Sequence, residues 1–239
     1  MGTDALADRR TRVAGTVSHR AHASAIDPRT PDRSEKARLA NSGVGPRQAR
    51  IRAMNRAPAE GWLVRDAIPE ADAQACLDIY APFIRDTTVS FEEVVPTLDE
   101  FRDRIRAAIA THLWLVLEVD GRVVGYAYAS QNRPRASYRW AVDVTVYVGP
   151  GHRGIGAGRR LYGELFERLR RRGFQVACAG VTMPNPASVG LHRAMGFEEV
   201  GIYRRIGWKA GAWRDVMWLQ LELVPATESA PSEPRHSDD

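Results

Sequence analysis

Apolar and polar positions change period several times along this chain, and each change marks an element. WLVRDA, residues 62–67, reads as a short strand. PEADAQACLDIYAPFI then sets Ala71, Ala75, Ile79 and Phe83 four residues apart, the spacing of one helix face. In LDEFRDRIRAAIATH the period recurs at Leu98, Phe101, Ile105 and Ala108 or Ile109, which predicts a second helix. LWLVLEV and RVVGYAYAS are two apolar strand runs around Asp120-Gly121, a dipeptide that accepts the positive φ values of a two-residue hairpin turn. WAVDVTVYV is a long β-branched run suited to a buried central strand. A glycine-rich stretch and a helix to about Arg172 come next, followed by a strand in FQVACAGVTM and a short helix in PASVGLHRAM. FEEVGIYRRIGW and DVMWLQLEL are the closing strands, and no internal repeat is present. The order β α α β β β α β α β β predicts one α/β domain on a mixed sheet, residues 61–224.

Outside that span the pattern lapses. Residues 1–60 are rich in Arg, Ala, Ser and Pro without a sustained apolar period, and are expected to form a disordered basic head. Met54 stands as an alternative initiator, because the character of the sequence changes near Trp62. From Pro225 onward, PATESAPSEPRHSDD reads as a solvated, disordered tail over 225–239.

Charge matters only once it is located. The net +5 suggests nucleic acid, but residues 1–60 hold 12 of the 34 basic and 6 of the 29 acidic residues. The remaining 179 residues are therefore one unit negative, and no nucleic-acid partner is expected for the domain. No stretch approaches the ~18 uncharged apolar residues of a membrane span, and the first residues lack the apolar run of a secretory signal. Two cysteines, Cys76 and Cys178, make neither a disulfide framework nor a metal cluster, and the six histidines are scattered. A reducing cytoplasm and no metal are the expectations.

RGIGAG, residues 153–158, puts three glycines directly before the helical run GRRLYGELFERLRRRG. Each glycine costs a helix roughly 1 kcal/mol relative to alanine. A helix start presents unpaired N–H groups and partial positive charge, and bare backbone lets a phosphate approach them. Arg153 adds a cation beside that cluster. A tight strand-to-helix turn without a ligand is the alternative. A dinucleotide fingerprint does not fit, since Gly154, Gly156 and Gly158 are spaced by two and no acidic ribose partner follows the next strand.

R-x-x-G-x-G/A after a VYV strand resembles the acetyl-CoA diphosphate loop of the GNAT N-acetyltransferase superfamily. Downstream, NPASVGLHRAMGF (Asn185 to Phe197) resembles that superfamily's second signature, in the family's order and one helix and one strand later. DTTVSFE, WLVLEVDGRVVGYAYAS, RASYRW, TVYVGPGHRGIGAGRRLY, MPNPASVGLH and GWKAGAWRDVMWLQ resemble one subgroup over about residues 62–223, the phosphinothricin and methionine sulfoximine N-acetyltransferases. The resemblance implies a mixed, mostly antiparallel sheet splayed at its central strands, with helices on both faces. It further implies acetyl-CoA as co-substrate, a small amine as acceptor, and a homodimer.

Residue by residue, the resemblance implies that the backbone of Val146, Tyr147 and Val148 pairs with the pantetheine arm. That requires the strand to splay from FQVACAGVTM. Arg153, Gly154, Ile155, Gly156, Ala157 and Gly158 would take the diphosphate, while Asn185 and Ser188 would flank the pantetheine. The general base falls at Asp143, where the subgroup carries glutamate. Alternation puts Asp143 and Thr145 on one face, opposite Val142, Val144 and Val146. The shorter aspartate acts on the amine directly or through water; a solvated strand-edge acid is the bland alternative. Ala141 stands where the family has threonine. His192 fills the slot of a tyrosine that protonates the leaving thiolate, and is either that donor or a histidine packed under the cofactor. Arg135 and Tyr138 match the loop that holds the acceptor's carboxylate, and Phe91 with Glu92 a stretch near the same mouth. Lys209, Trp213 and Asp215 match a closing loop suited to subunit contact, and Arg168, Arg170, Arg171 and Arg172 read as a solvated helix end. The competing functions are acetyl transfer to a protein or another amine, and a non-catalytic acyl-CoA-binding module.

Overall fold

The computed structural model describes residues 61–235. The head expected over 1–60, Met54 included, lies outside the described residues. Eleven helices and strands follow in the expected order: β1 (Trp62–Asp66), α1 (Pro69–Asp86), α2 (Leu98–Thr111), β2 (Trp114–Val119), β3 (Arg122–Gln131), β4 (Ala141–Val148), α3 (Ala157–Arg171), β5 (Val176–Thr182), α4 (Pro186–Ala194), β6 (Glu198–Lys209) and β7 (Ala212–Glu222). The strands make one seven-stranded sheet in the order β1-β2-β3-β4-β5-β7-β6. Only β4 and β5 run parallel within it.

Local chemistry explains several boundaries. Asp120 and Gly121 both take positive φ, 49° and 75°, so the β2–β3 turn has the twist that antiparallel neighbours need. Thr97 caps α2 by accepting the Glu100 N–H, while the Glu100 carboxylate accepts the Thr97 N–H in return. Packing, not spacing, sets the face of α1. Ala71, expected inside, is exposed, and the buried set includes Ala73, Cys76, Leu77, Tyr80 and Ile84. A strict four-residue spacing drifts about 40° per step around a helix, and the larger side chains decide which flank turns inward.

The sheet separates two apolar layers. On one face Leu161, Leu165, Phe166 and Leu169 of α3 pack on Leu115, Ala127, Val142 and Val144. On the other, Cys76, Tyr80 and Ile84 of α1 and Phe101 and Ile105 of α2 cover Trp114, Val116 and Tyr126. Among the described residues no helix is long and apolar enough to cross a membrane.

Two expectations are corrected at the far end of α3. The arginine run is not a solvated helix end. Arg172 is buried and donates to the His112 carbonyl, Arg170 donates to the Leu223 carbonyl, and Arg168 bridges Glu164 and Asp66. Carbonyls left bare at element ends and nearby acids draw these long side chains inward, and only Arg171 stays exposed. The described residues beyond Pro225 form no helix or strand, yet Ser232 to Arg235 returns to the domain. Glu233 forks onto Arg139 with two 2.6 Å bonds, the Ser232 carbonyl accepts the Trp140 indole N–H, and the Arg235 N–H donates to the Arg172 carbonyl.

Leu161 is wholly buried between α3 and the central strands. Leu161→Ala is expected to destabilise the domain by about 2–5 kcal/mol, read as a lower urea midpoint with an unchanged slope.

Candidate active site

β4 meets its two neighbours unequally. Its register with β3 runs from Gln131↔Val142 to Gly125↔Val148, whereas β5 pairs only at Ala141↔Val176, Val142↔Ala177 and Asp143↔Cys178. β5 is instead matched to β7 along its whole length, Val176 to Thr182. From Val144 onward the β5-facing edge of β4 has no strand partner, and its backbone groups there, the Val148 carbonyl bonded by Arg153 aside, lack a ladder partner. The unpaired stretch lies toward the C-terminal ends of the two strands, as the splay implied by the resemblance requires.

The glycine turn sits at the unpaired end. Gly154 and Gly156 take φ of 77° and 101°, which L side chains rarely adopt, and open space surrounds both. Gly156 is the N-cap of α3 without a side-chain cap, so the N–H groups of the first turn face outward unpaired by any side chain. Ile155 is exposed, and Ala157 is buried beneath the turn. Arg153 folds back: its Nε donates to the Val148 carbonyl at 2.9 Å and its guanidinium lies 4.7 Å from the centre of the Phe83 ring. Gly158 is bare for a different reason, since a Cβ there would come within 3.0 Å of Leu191 on α4. Across the gap, Asn185 is the N-cap of α4, its Oδ1 accepting the Ser188 N–H.

Asp143 is the last residue of β4 in register with β5, so it marks the apex of the gap. Its carboxylate accepts a 2.6 Å hydrogen bond from Asn132, and burial pushes its pKa above the ordinary aspartate value. Register places Asp143 on one sheet face with Ser130, Tyr128, Thr145, Tyr147, Cys178 and Gly180, opposite the core-facing Val142 and Val144. Two cavities of about 630 Å³ each lie over this face. One is roofed by Val89, Ser90, Phe91 and Glu92 above Gly180 and Thr182, and the other runs under α2 toward Arg104 and Arg139. Tyr80, Glu92 and Tyr147 line both. Glu92 is held between them, bonded by Tyr80 at 2.9 Å and Arg104 at 2.7 Å.

Arg135 and Tyr138 stand apart from these cavities. Both are exposed, in the loop with a helical turn at Ala136–Tyr138 that feeds β4, and the Arg135 guanidinium has no partner among the described residues. The cations that line a cavity wall are Arg104 and Arg139. In the loop expected to suit subunit contact, the Lys209 ammonium is buried and donates to three carbonyls of its own chain.

His192 lies within the core, against Tyr162 and Phe197. Its Nδ1 is 2.8 Å from the Ser188 carbonyl, which assigns the ring proton to Nδ1 and leaves Nε2 to accept from the Tyr162 hydroxyl at 3.1 Å. Burial lowers its pKa. A neutral imidazole with both nitrogens engaged is poorly suited to give a proton to a leaving thiolate, whatever its place in the signature.

Sequence reasoning missed Asn132, the ion pair of Glu92 with Arg104, and the burial of Lys209. Asn132 follows from the β3–β4 register, which the sequence does not state; the others depend on how distant segments meet. Among the described residues no group of three His, Cys, Asp or Glu side chains could hold a metal ion.

Comparison with known proteins agrees with the geometry. The Acetyltransferase (GNAT) family matches residues 77–197. A phosphinothricin N-acetyltransferase of Streptomyces viridochromogenes is 38% identical, over 65% of this chain and 86% of its own. An L-methionine sulfoximine/L-methionine sulfone acetyltransferase of Pseudomonas aeruginosa is 37% identical, over 70% of this chain and 98% of its own. Among solved structures, a phosphinothricin acetyltransferase from Sinorhizobium meliloti in complex with AcCoA superposes with a TM-score of 0.69 at 34% identity, covering 72% of this chain and 94% of that one.

The lowered pKa of His192 carries a sign. The unfolded chain takes up that proton more readily, so the contribution is complete above the unfolded value of about 6.5 and is lost as pH falls toward the lower native value. Urea unfolding at pH 7 and below 6 is expected to show a smaller loss of stability on acidification in His192→Gln than in the parent protein.

Proposed function

The chain belongs to the Acetyltransferase (GNAT) family, and from that membership we propose that it transfers the acetyl group of acetyl-CoA to the primary amine of a small amino acid of the phosphinothricin or methionine sulfoximine type. The observation that carries this function is the edge of β4 left without a strand partner beyond Asp143, ending in the glycine turn and the start of α3. An amide-bearing arm can add to such an edge as a strand does, and a diphosphate suits outward N–H groups at a helix start.

When bound, acetyl-CoA supplies an acetyl group activated as a thioester; the remaining work falls to this chain. The backbone of Val146, Tyr147 and Val148 would hold the arm, with Asn185 and Ser188 on its other side. Residues Arg153 to Gly158 would take the diphosphate, the free end of the Arg153 guanidinium adding charge. Asp143 would be the general base. Its raised pKa brings it nearer the working pH, and its short side chain favours proton removal through a water. Arg135, whose guanidinium has no partner among the described residues, and Tyr138 would meet an incoming carboxylate from the exposed loop before β4, and Phe91 would give the cavity an apolar wall. For His192 the packing role is favoured over proton donation, because both ring nitrogens are already bonded.

The enzyme so proposed works in the cytoplasm as a homodimer. Support for the dimer comes from the long edge strand β6, where Tyr203, Ile206 and Trp208, with Trp213 of β7, are half-exposed apolar side chains.

Release of coenzyme A thiol in the presence of acetyl-CoA and either amino acid tests the assignment. Asp143→Asn should lower kcat/KM by roughly 10²–10⁴-fold and remove the acidic limb, on which the rate of the parent enzyme rises with pH as the carboxyl loses its proton. Arg135→Ala should raise the amino-acid KM about tenfold or more and leave the acetyl-CoA KM alone. Tight acetyl-CoA binding without turnover on any amine, unaffected by Asp143→Asn, would instead identify a non-catalytic acyl-CoA binder.

A further inference from the structure

Lys209 ends β6 beside a tight turn at Ala210-Gly211, both in the positive-φ region. Its ammonium is buried, and no carboxylate pairs with it among the described residues. All three N–H groups go to carbonyls: Ile84 at 2.9 Å, Ser90 at 2.6 Å and Glu92 at 2.7 Å. Taking an ammonium from water without a counter-ion is costly, and an apolar side chain of similar volume would fill the space more cheaply. What the apolar side chain could not do is gather three carbonyls, one from a helix end and two from the loop after it. Ile84 lies in the last turn of α1, where carbonyls lack helical partners and a cation is favoured. Ser90 and Glu92 belong to the loop that follows, which roofs the cavity over Gly180 and Thr182.

The same hairpin holds that loop at a second point. A Cβ on Gly207 would overlap the Phe91 ring, so the ring rests against bare backbone two residues before Lys209. The side chains thus fixed are functional in character: Ser90 Oγ bonds the Tyr80 hydroxyl at 2.7 Å, and Glu92 takes the bonds from Tyr80 and Arg104. Displacing the Ser90 and Glu92 carbonyls would move the roof and both cavity walls together.

We infer that Lys209 is a positioning residue that holds the 87–95 loop in the shape that recognises the acceptor, acting through Ser90, Phe91 and Glu92 and never touching acetyl-CoA. The kinetic half of this inference rests on the acetyl-transfer function proposed above; the anchoring of the loop does not.

Two measurements on the full chain separate them. In hydrogen exchange followed by mass spectrometry, Lys209→Met should speed exchange of amides within 87–95 by about tenfold or more while peptides of α3 are unchanged. In steady-state assays with acetyl-CoA and phosphinothricin or methionine sulfoximine, the same variant should raise the amino-acid KM about tenfold, with the acetyl-CoA KM unchanged and partial recovery in Lys209→Arg. A loss of folded protein alone would lower apparent kcat and move neither KM. Unchanged exchange in 87–95, or an acetyl-CoA KM that rises in parallel, overturns the inference. If the parent protein acetylates neither amino acid, the proposed function fails and exchange alone decides whether Lys209 anchors the loop. Should Lys209→Met not fold, Gly207→Ala attacks the clamp from the Phe91 side and is expected to show the same split between the two KM values.

Discussion

Three register pairs, Ala141 to Asp143 on β4 against Val176 to Cys178 on β5, make up the whole strand ladder between two half-sheets whose other strand edges are committed elsewhere. β4 is bound along its length to β3, and β5 to β7, so neither can turn to close the seam without giving up a complete ladder. The backbone groups past Asp143 cannot be left dry, because a buried unpaired amide or carbonyl costs more than a hydrogen bond returns. They therefore stand open to water or to an extended ligand. Everything proposed for this chain as an enzyme follows from that seam: the direction in which a cofactor arm can enter, the end at which its charge must lie, and the place where a carboxylate can reach what it carries.

The two faces of the sheet divide the labour. Beneath the seam α3 and α4 press an apolar layer against Val142 and Val144, and even the polar pair Tyr162 and His192 is turned inward and satisfied there. Above it the face is aromatic and hydroxylic, with carboxylates held by named partners, Asp143 by Asn132 and Glu92 by Tyr80 and Arg104. Raising the pKa of an acid needs a dry setting, and holding it still needs a donor; the upper face supplies both at Asp143. The β6–β7 hairpin completes that face from the far half-sheet, reaching back across the seam to the loop after α1.

The fold was legible because its signals are local. Period, the Asp120-Gly121 turn and the glycines before α3 each depend on a few neighbouring residues, and all eleven elements follow in the expected order. The splay was legible only through the resemblance, since nothing in WAVDVTVYV or FQVACAGVTM says where two strands part. Side-chain partnerships were least legible. Long cationic side chains go where carbonyls are left bare, and those carbonyls belong to segments remote in sequence: Arg172 finds His112, and Lys209 finds Ile84, Ser90 and Glu92. Charge suggested solvent for Arg172, and the resemblance a subunit contact for Lys209. At His192 the signature gave a role that the surroundings do not favour, because a position in a motif says nothing about which neighbours occupy the ring nitrogens.

The return of the chain at Ser232 to Arg235 ties the last described residues to the strand that carries Asp143. Trp140, directly before β4, has its indole N–H on the Ser232 carbonyl and the Arg139 guanidinium 3.9 Å from its ring centre. Arg139 in turn is shared with Glu233. The C-terminal segment is thereby wired to the entrance of the central strand, and its attachment should be visible as a change in indole emission at one native fluorophore. A fusion appended at that end would pull on the same residues that lead into the seam.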